Sequence, residues 1–230
     1  MNIDMLQFIN SLKTPQNAAL LEYVRMGYLT ILESFHEMIP PVVTCIKKLQ
    51  SNDYSIDPPN VIVLHTPEFG YVNIYVNRSN SLEISAHAYG NGIIDVDDTT
   101  LHNAIIRNDP DAIHNRLNDA NVMNALAHEL GHITEMYKRG VENVNNQIDN
   151  MSTKSLKAYK RKDKRHHNHK MERFANSTAM IPELLNGSFS SASKTLDSLP
   201  ISQHLTPRNK KRILKNIANY YVNMDKGADV

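Results

Sequence analysis

The stretch 121–137, Asn-Val-Met-Asn-Ala-Leu-Ala-His-Glu-Leu-Gly-His-Ile-Thr-Glu-Met-Tyr, constrains this chain more than any other. Val122, Leu126, Leu130, Ile133 and Tyr137 recur at spacings of three and four, which predicts an amphipathic helix with one apolar stripe. Within it His128 and His132 stand four residues apart, so their imidazoles project from adjacent turns of one face. Two such imidazoles reach a single metal ion. Glu129 lies on the flank of the pair, where a carboxylate can take a proton from a water without being a ligand itself.

This is the His-Glu-x-x-His spacing used by zinc-dependent hydrolases. The alternative is a helix that happens to carry two surface histidines. Gly131 argues against that reading, because glycine inside a helix costs about 1 kcal/mol relative to alanine and usually has a packing or access reason.

Cysteine usage narrows the ligand set. Cys45 is the single cysteine, which excludes an internal disulfide and a thiolate-rich zinc ribbon, so any metal must be held by His and carboxylate. Cys45 itself reads as a core thiol. The 230 residues suffice for one sizeable core, and 41% hydrophobic with 21% charged residues fits a globular chain. Lys+Arg of 25 against Asp+Glu of 24 makes the molecule as a whole an unlikely binder of nucleic acid. The N-terminus lacks a basic region followed by an apolar core, and no apolar run approaches membrane-spanning length, so a cytoplasmic location with no membrane contact is expected.

Three regions are expected. Residues 1–50 form an N-terminal helical region, with a long amphipathic helix over 16–39 ended by Pro40-Pro41 and a short helix carrying Val42, Cys45, Ile46 and Leu49. Residues 51–187 form the core. In it, a polar connector at 52–60 precedes strands at 61–65, 71–76 and 82–88 and a short edge strand at 93–96, giving a small, mainly antiparallel sheet. Thr99 or Thr100 is expected to cap a helix ending at Ile106, and Asp109-Pro110 to start another. A basic insertion occupies about 138–170, with eight Lys/Arg against one Asp in 154–170, and reads as an exposed loop or hairpin. Residues 188–230 form a linker and a C-terminal amphipathic helix whose apolar side docks on the core. The fold class is α+β, mostly helical, with the sheet packed against the His-Glu-x-x-His helix in a zincin-like arrangement.

A catalytic zinc needs a third protein ligand. Glu135 lies about 4.5 Å further along the helix axis than His132, too far to share one ion comfortably. The segment after His132 also lacks the glycine and third histidine of the metzincin extension. The best candidate is Glu172, which shares a helical face with Ala175, Asn176 and Ala179; the two alanines permit close approach to the motif helix, and Asn176 is placed to orient a ligand. The plainer alternative is a small-residue packing face with an exposed glutamate.

His128-Glu-Leu-Gly-His132 together with Glu172-x-x-Ala-Asn-x-x-Ala179 and the Met-Ile-Pro that follows resembles the ImmA/IrrE family of zinc metallopeptidases. The resemblance spans roughly residues 93–185. It implies a gluzincin-like site with His128, His132 and Glu172 on Zn2+ and Glu129 as catalytic base. It further implies a protein substrate, a helix-turn-helix repressor of the kind that controls mobile elements being the type the family acts on. The abundance of Asn and Lys points the same way, toward an AT-rich phage or mobile element. The basic insertion lengthens the spacing between the two motifs, and the N-terminal region does not resemble a helix-turn-helix. Two other functions compete: a non-catalytic zinc-containing binding module, and a DNA-associated SprT-like protease acting through the basic insertion. His65, His87, His102, His204 and several tyrosines are candidates to stabilise an oxyanion, and sequence does not choose among them.

Overall fold

The computed structural model describes residues 39–79, 84–140 and 170–186, with short pieces at 194, 196–197, 205–210 and 212–214. The long helix expected over 16–39 and most of the basic insertion lie outside the described residues.

Helix α1 (Ile39–Gln50) opens with two prolines in its first turn, where a missing amide donor costs nothing. Its side chains Ile39, Val42, Cys45, Ile46 and Leu49 recur at helical spacing and are all buried. Cys45 is therefore the core thiol its surroundings in sequence suggest.

Five strands follow: β1 (Ser55–Asp57), β2 (Val61–Thr66), β3 (Gly70–Asn77), β4 (Ser85–Tyr89) and β5 (Ile93–Asp97). They form one sheet in the order β1-β2-β3-β5-β4. The pairings β1–β2, β2–β3 and β4–β5 are antiparallel and β3–β5 is parallel, so the sheet is mainly antiparallel. Two details differ from the sequence expectation. The connector at 52–60 contains β1, too short to show a period. The strand at 93–96 is not an edge: β5 lies between β3 and β4, and β4 is the edge. Burial explains the exchange, since Ile94 and Val96 of β5 are fully buried whereas β4 turns only Ala86 and Ala88 toward the core.

The β4–β5 turn uses Asn91 and Gly92 at positive φ, of 64° and 72°, a conformation that suits the twist of a tight hairpin. A side chain on Gly92 would also place its Cβ 2.5 Å from the Tyr71 carbonyl oxygen of β3, so glycine there lets β5 lie beside β3.

Helices cover one face of the sheet. Ile62, Leu64, Val72, Ile74, Val76, Ile94 and Val96 point into this layer, while Tyr71, Tyr75 and Tyr89 are exposed. Helix α2 (Thr99–Ile106) is capped by Asp98, whose carboxylate accepts from the Leu101 amide at 2.7 Å, and not by either threonine. An ionised carboxylate is the stronger acceptor for that amide. Helix α3 (Pro110–Leu117) begins as expected, with Asp109 as cap and Pro110 in the first turn. Next come α4 (Ala120–Arg139), α5 (Lys170–Thr178) and α6 (Ile181–Asn186). Beyond them Leu205 and Ile213 are buried in the core while Arg208 and Arg212 are exposed. The architecture is α+β, with a five-stranded sheet packed against the helix that carries the motif. No helix among the described residues is long and apolar enough to cross a membrane.

Candidate metal centre

Asp119 starts α4 by accepting from the amides of Asn121 and Val122, at 2.9 and 3.4 Å. The helix then runs to Gly140, which ends it at a φ of 80°. It is two residues longer than its apolar pattern, so Lys138 and Arg139 belong to its last turn and not to the insertion. Val122, Leu126, Leu130 and Ile133 are buried as the stripe predicts, but Tyr137 is 61% exposed. The helix has outrun the core at that point, and the Tyr137 ring rests edge-on against Phe69 at a centroid distance of 5.5 Å.

On the adjacent face the His128 and His132 rings meet edge to face, with Nε2 atoms 3.2 Å apart. Helix α5 packs against α4 and delivers Glu172, 2% exposed, whose Oε2 lies 3.4 Å from His128 Nε2 and 3.6 Å from His132 Nε2. Sequence places these three residues together and the structure does so as well. Their ligand atoms lie within 4.8 Å of one another, close enough to hold one metal ion.

Gly131 makes the approach of the two helices possible. A Cβ there would stand 2.3 Å from Thr178 Oγ1 and 2.9 Å from Ala175 Cα, inside contact distance of α5. The helix therefore accepts the cost of about 1 kcal/mol that glycine carries at an interior position. The hydroxyls buried along α5 turn onto their own helix, Thr178 donating to the Ala175 carbonyl at 2.8 Å and Ser177 to the Arg173 carbonyl at 2.7 Å.

The donor geometry fits a metal. Ligand atoms about 2.0–2.1 Å from a tetrahedral centre stand about 3.3 Å from one another. The edges of the observed triangle, 3.2, 3.4 and 3.6 Å, bracket that value. Electrostatics agree. Burial pulls the His132 imidazole down, yet its hydrogen bond with Glu172 and the negative charges of Glu172, Glu129 and Glu135 outweigh burial and push it up to about 9. Burial likewise raises the Glu172 carboxyl, but hydrogen bonds and positive charge from both imidazoles hold it well below the ordinary carboxylate value. Positive charge is thus favoured where the three donors converge, and two imidazoles with one carboxylate form a borderline donor set suited to a divalent transition metal.

Glu129 is buried on the flank of this triangle and outside it. Its Oε2 accepts from the Ala88 amide of β4 at 2.7 Å. Sequence reasoning missed this partner because it is a backbone group and leaves no side-chain signal. An Ala88 amide used in this way points off the outer side of β4 and away from β5.

Glu135 takes no part in the triangle; it is buried and pairs with Arg139 at 3.2 Å, and burial, first among the influences on it, raises its carboxyl. Asn176 is buried one turn from Glu172. Of the remaining histidines, His65 sits on β2 against the Tyr71 ring at 5.0 Å, His87 is exposed on β4, His102 belongs to α2, and His204 lies outside the described residues.

No family model, curated protein or solved structure matches the chain.

Proposed function

We propose that this chain is a zinc-dependent metallopeptidase, related to the ImmA/IrrE enzymes that its two motifs resemble. The observation that carries the reading is the triangle of His128 Nε2, His132 Nε2 and Glu172 Oε2 with tetrahedral edge lengths, flanked by a glutamate that is not part of it. A structural metal site has no use for Glu129. A bound zinc ion acts as a Lewis acid, polarising a carbonyl and acidifying a water.

The chain supplies the rest. His128, His132 and Glu172, carried by two helices, would hold the ion. Ala88 fixes one oxygen of Glu129, so Oε1 is the atom left to take a proton and pass it to the leaving amine. Among the described residues β4 is the outermost strand beside this carboxylate, and an outer strand can accept an extended peptide by backbone pairing at amides other than that of Ala88, which Glu129 holds. A protein segment in extended form is the substrate class that suits such an edge. The resemblance suggests a transcriptional repressor as its source.

The test is elemental analysis of purified wild type beside His128→Ala, Glu129→Gln and Glu172→Ala, followed by incubation of each with a proteome-derived peptide library. One zinc per chain in wild type, retained by Glu129→Gln but lost from the other two, with cleavage by wild type alone, is the expected result. Absence of zinc from wild type even after titration would sink the proposal. Zinc without cleavage would favour a binding module.

A further inference from the structure

We infer that Gly131 is the positioning residue that sets how closely Glu172 approaches the two imidazoles, and so whether the metal gains its third ligand. This rests on the metal-centre reading above and concerns one residue that binds nothing itself.

The two imidazoles need no help from α5, because their separation follows from spacing along α4. Glu172 differs: its distance depends on the gap between α4 and α5. Gly131 sits in that gap, between the two histidines in sequence and against Ala175 and Thr178 in space. Two atoms would oppose a Cβ there. Thr178 Oγ1, at 2.3 Å, could rotate only by giving up its 2.8 Å bond to the Ala175 carbonyl. Ala175 Cα, at 2.9 Å, is backbone and retreats only if α5 does. Carbon atoms pack at about 3.5–4.0 Å, so α5 must withdraw by roughly half an ångström or more.

Glu172 lies one turn from Ala175 on the same helix and withdraws with it. Both of its edges, 3.4 and 3.6 Å, lengthen while the edge between the histidines stays at 3.2 Å. The result is a site with two sound ligands and a poor third.

The experiment is zinc titration of metal-stripped, full-length Gly131→Ala against wild type by competition with a chromophoric chelator, together with the visible spectrum after cobalt(II) substitution. Binding about 10- to 100-fold weaker is expected, the range typical when the support of a metal ligand is disturbed. A weaker cobalt band should accompany it, as water replaces the carboxylate. Ile113→Val, in α3, serves as a control that loosens the core and should leave both readings unchanged. Adding Thr178→Ala to Gly131→Ala removes the nearest opposing atom and should restore part of the affinity. If Gly131→Ala binds zinc as tightly as wild type with the same cobalt spectrum, the inference is overturned. Should that variant fail to fold, the double variant decides: weakened binding supports the role and wild-type binding overturns it. Failure of wild type itself to bind zinc overturns the metal centre and this inference together.

Discussion

Cys45 and Glu172 are both buried, and burial raises both groups, yet they end on opposite sides of their ordinary values because of what faces them. Burial, helped by the nearby charge of Glu68, pushes the Cys45 thiol up to about 12 from an ordinary value near 9. The folded protein therefore keeps the thiol neutral. Below pH 9 neither state ionises it and its contribution to stability is whole; as pH rises from 9 toward 12 the unfolded chain sheds the proton first and that contribution is lost. Because the thiolate is the reactive form, native protein at pH 8 should react with a disulfide reagent far more slowly than protein unfolded in urea, and prompt native labelling would contradict the burial described. Glu172 is buried to a similar degree yet stays ionised, since two imidazoles face it. Its place beside the histidines was legible because a helix converts spacing into position: His128 and His132 share a face of α4, and Glu172 shares a face of α5 with Ala175 and Ala179. Ala88 was not legible, because its contribution is an amide that every residue but proline possesses.

At the level of elements, the caps and pairings reveal what local pattern can decide. The start of α3 followed from Asp109-Pro110, and the course of α4 as far as Tyr137 from the apolar period. The start of α2 did not, for Asp98 outcompetes the threonines beside it. Asp98 does more than cap. It is buried, and besides the Leu101 amide it holds Arg116, whose Nη2 lies 2.6 Å from Oδ2. That hydrogen bond, the largest influence on the guanidinium, raises it above its ordinary value. Asp98→Ala should lower stability by about 2–3 kcal/mol, the sum of a lost cap and a broken, partly buried pair, measured by urea denaturation. Asp98→Asn should cost less, because an amide oxygen still caps the helix. The position of β5 is the opposite case. Whether a short apolar strand lies at an edge depends on which partners it finds, and the parallel pairing of β5 with β3 is a tertiary choice that no window of sequence contains.

Across the whole molecule, the centre joins parts of the chain that are far apart in sequence, the helix at 120–139 and the helix at 170–178. An ion bound there belongs to the folded state alone, so its binding free energy adds to folding stability. Zinc at a thousand times its dissociation constant should raise stability by about 4 kcal/mol, and a chelator should abolish the gain. The measurement is the melting temperature with zinc and with chelator, in wild type and in Glu172→Ala; an equal response in both would place the ion elsewhere. The α+β class and the sheet's mainly antiparallel character were readable from strand and helix patterns. The order of the strands was not.

The link between Ala88 and Glu129 carries a last consequence, which concerns phase. Along an edge strand, a residue whose amide points off the edge also fixes which face its side chain takes. In β4 the outward amide and an inward methyl belong to the same residue, and Ala86 repeats the inward methyl two positions earlier, while His87 and Tyr89 face out. One extra residue in the turn at 90–92 would advance β4 by half a period. The strand would still offer Glu129 an amide, but it would come with an imidazole or a phenol ring wedged beneath α4 where a methyl now fits. The Glu129 carboxylate would be lifted off the strand while His128 and His132 kept their spacing. The alternation of small and large side chains in five residues of strand thus keeps the Glu129 carboxylate in step with His128 and His132.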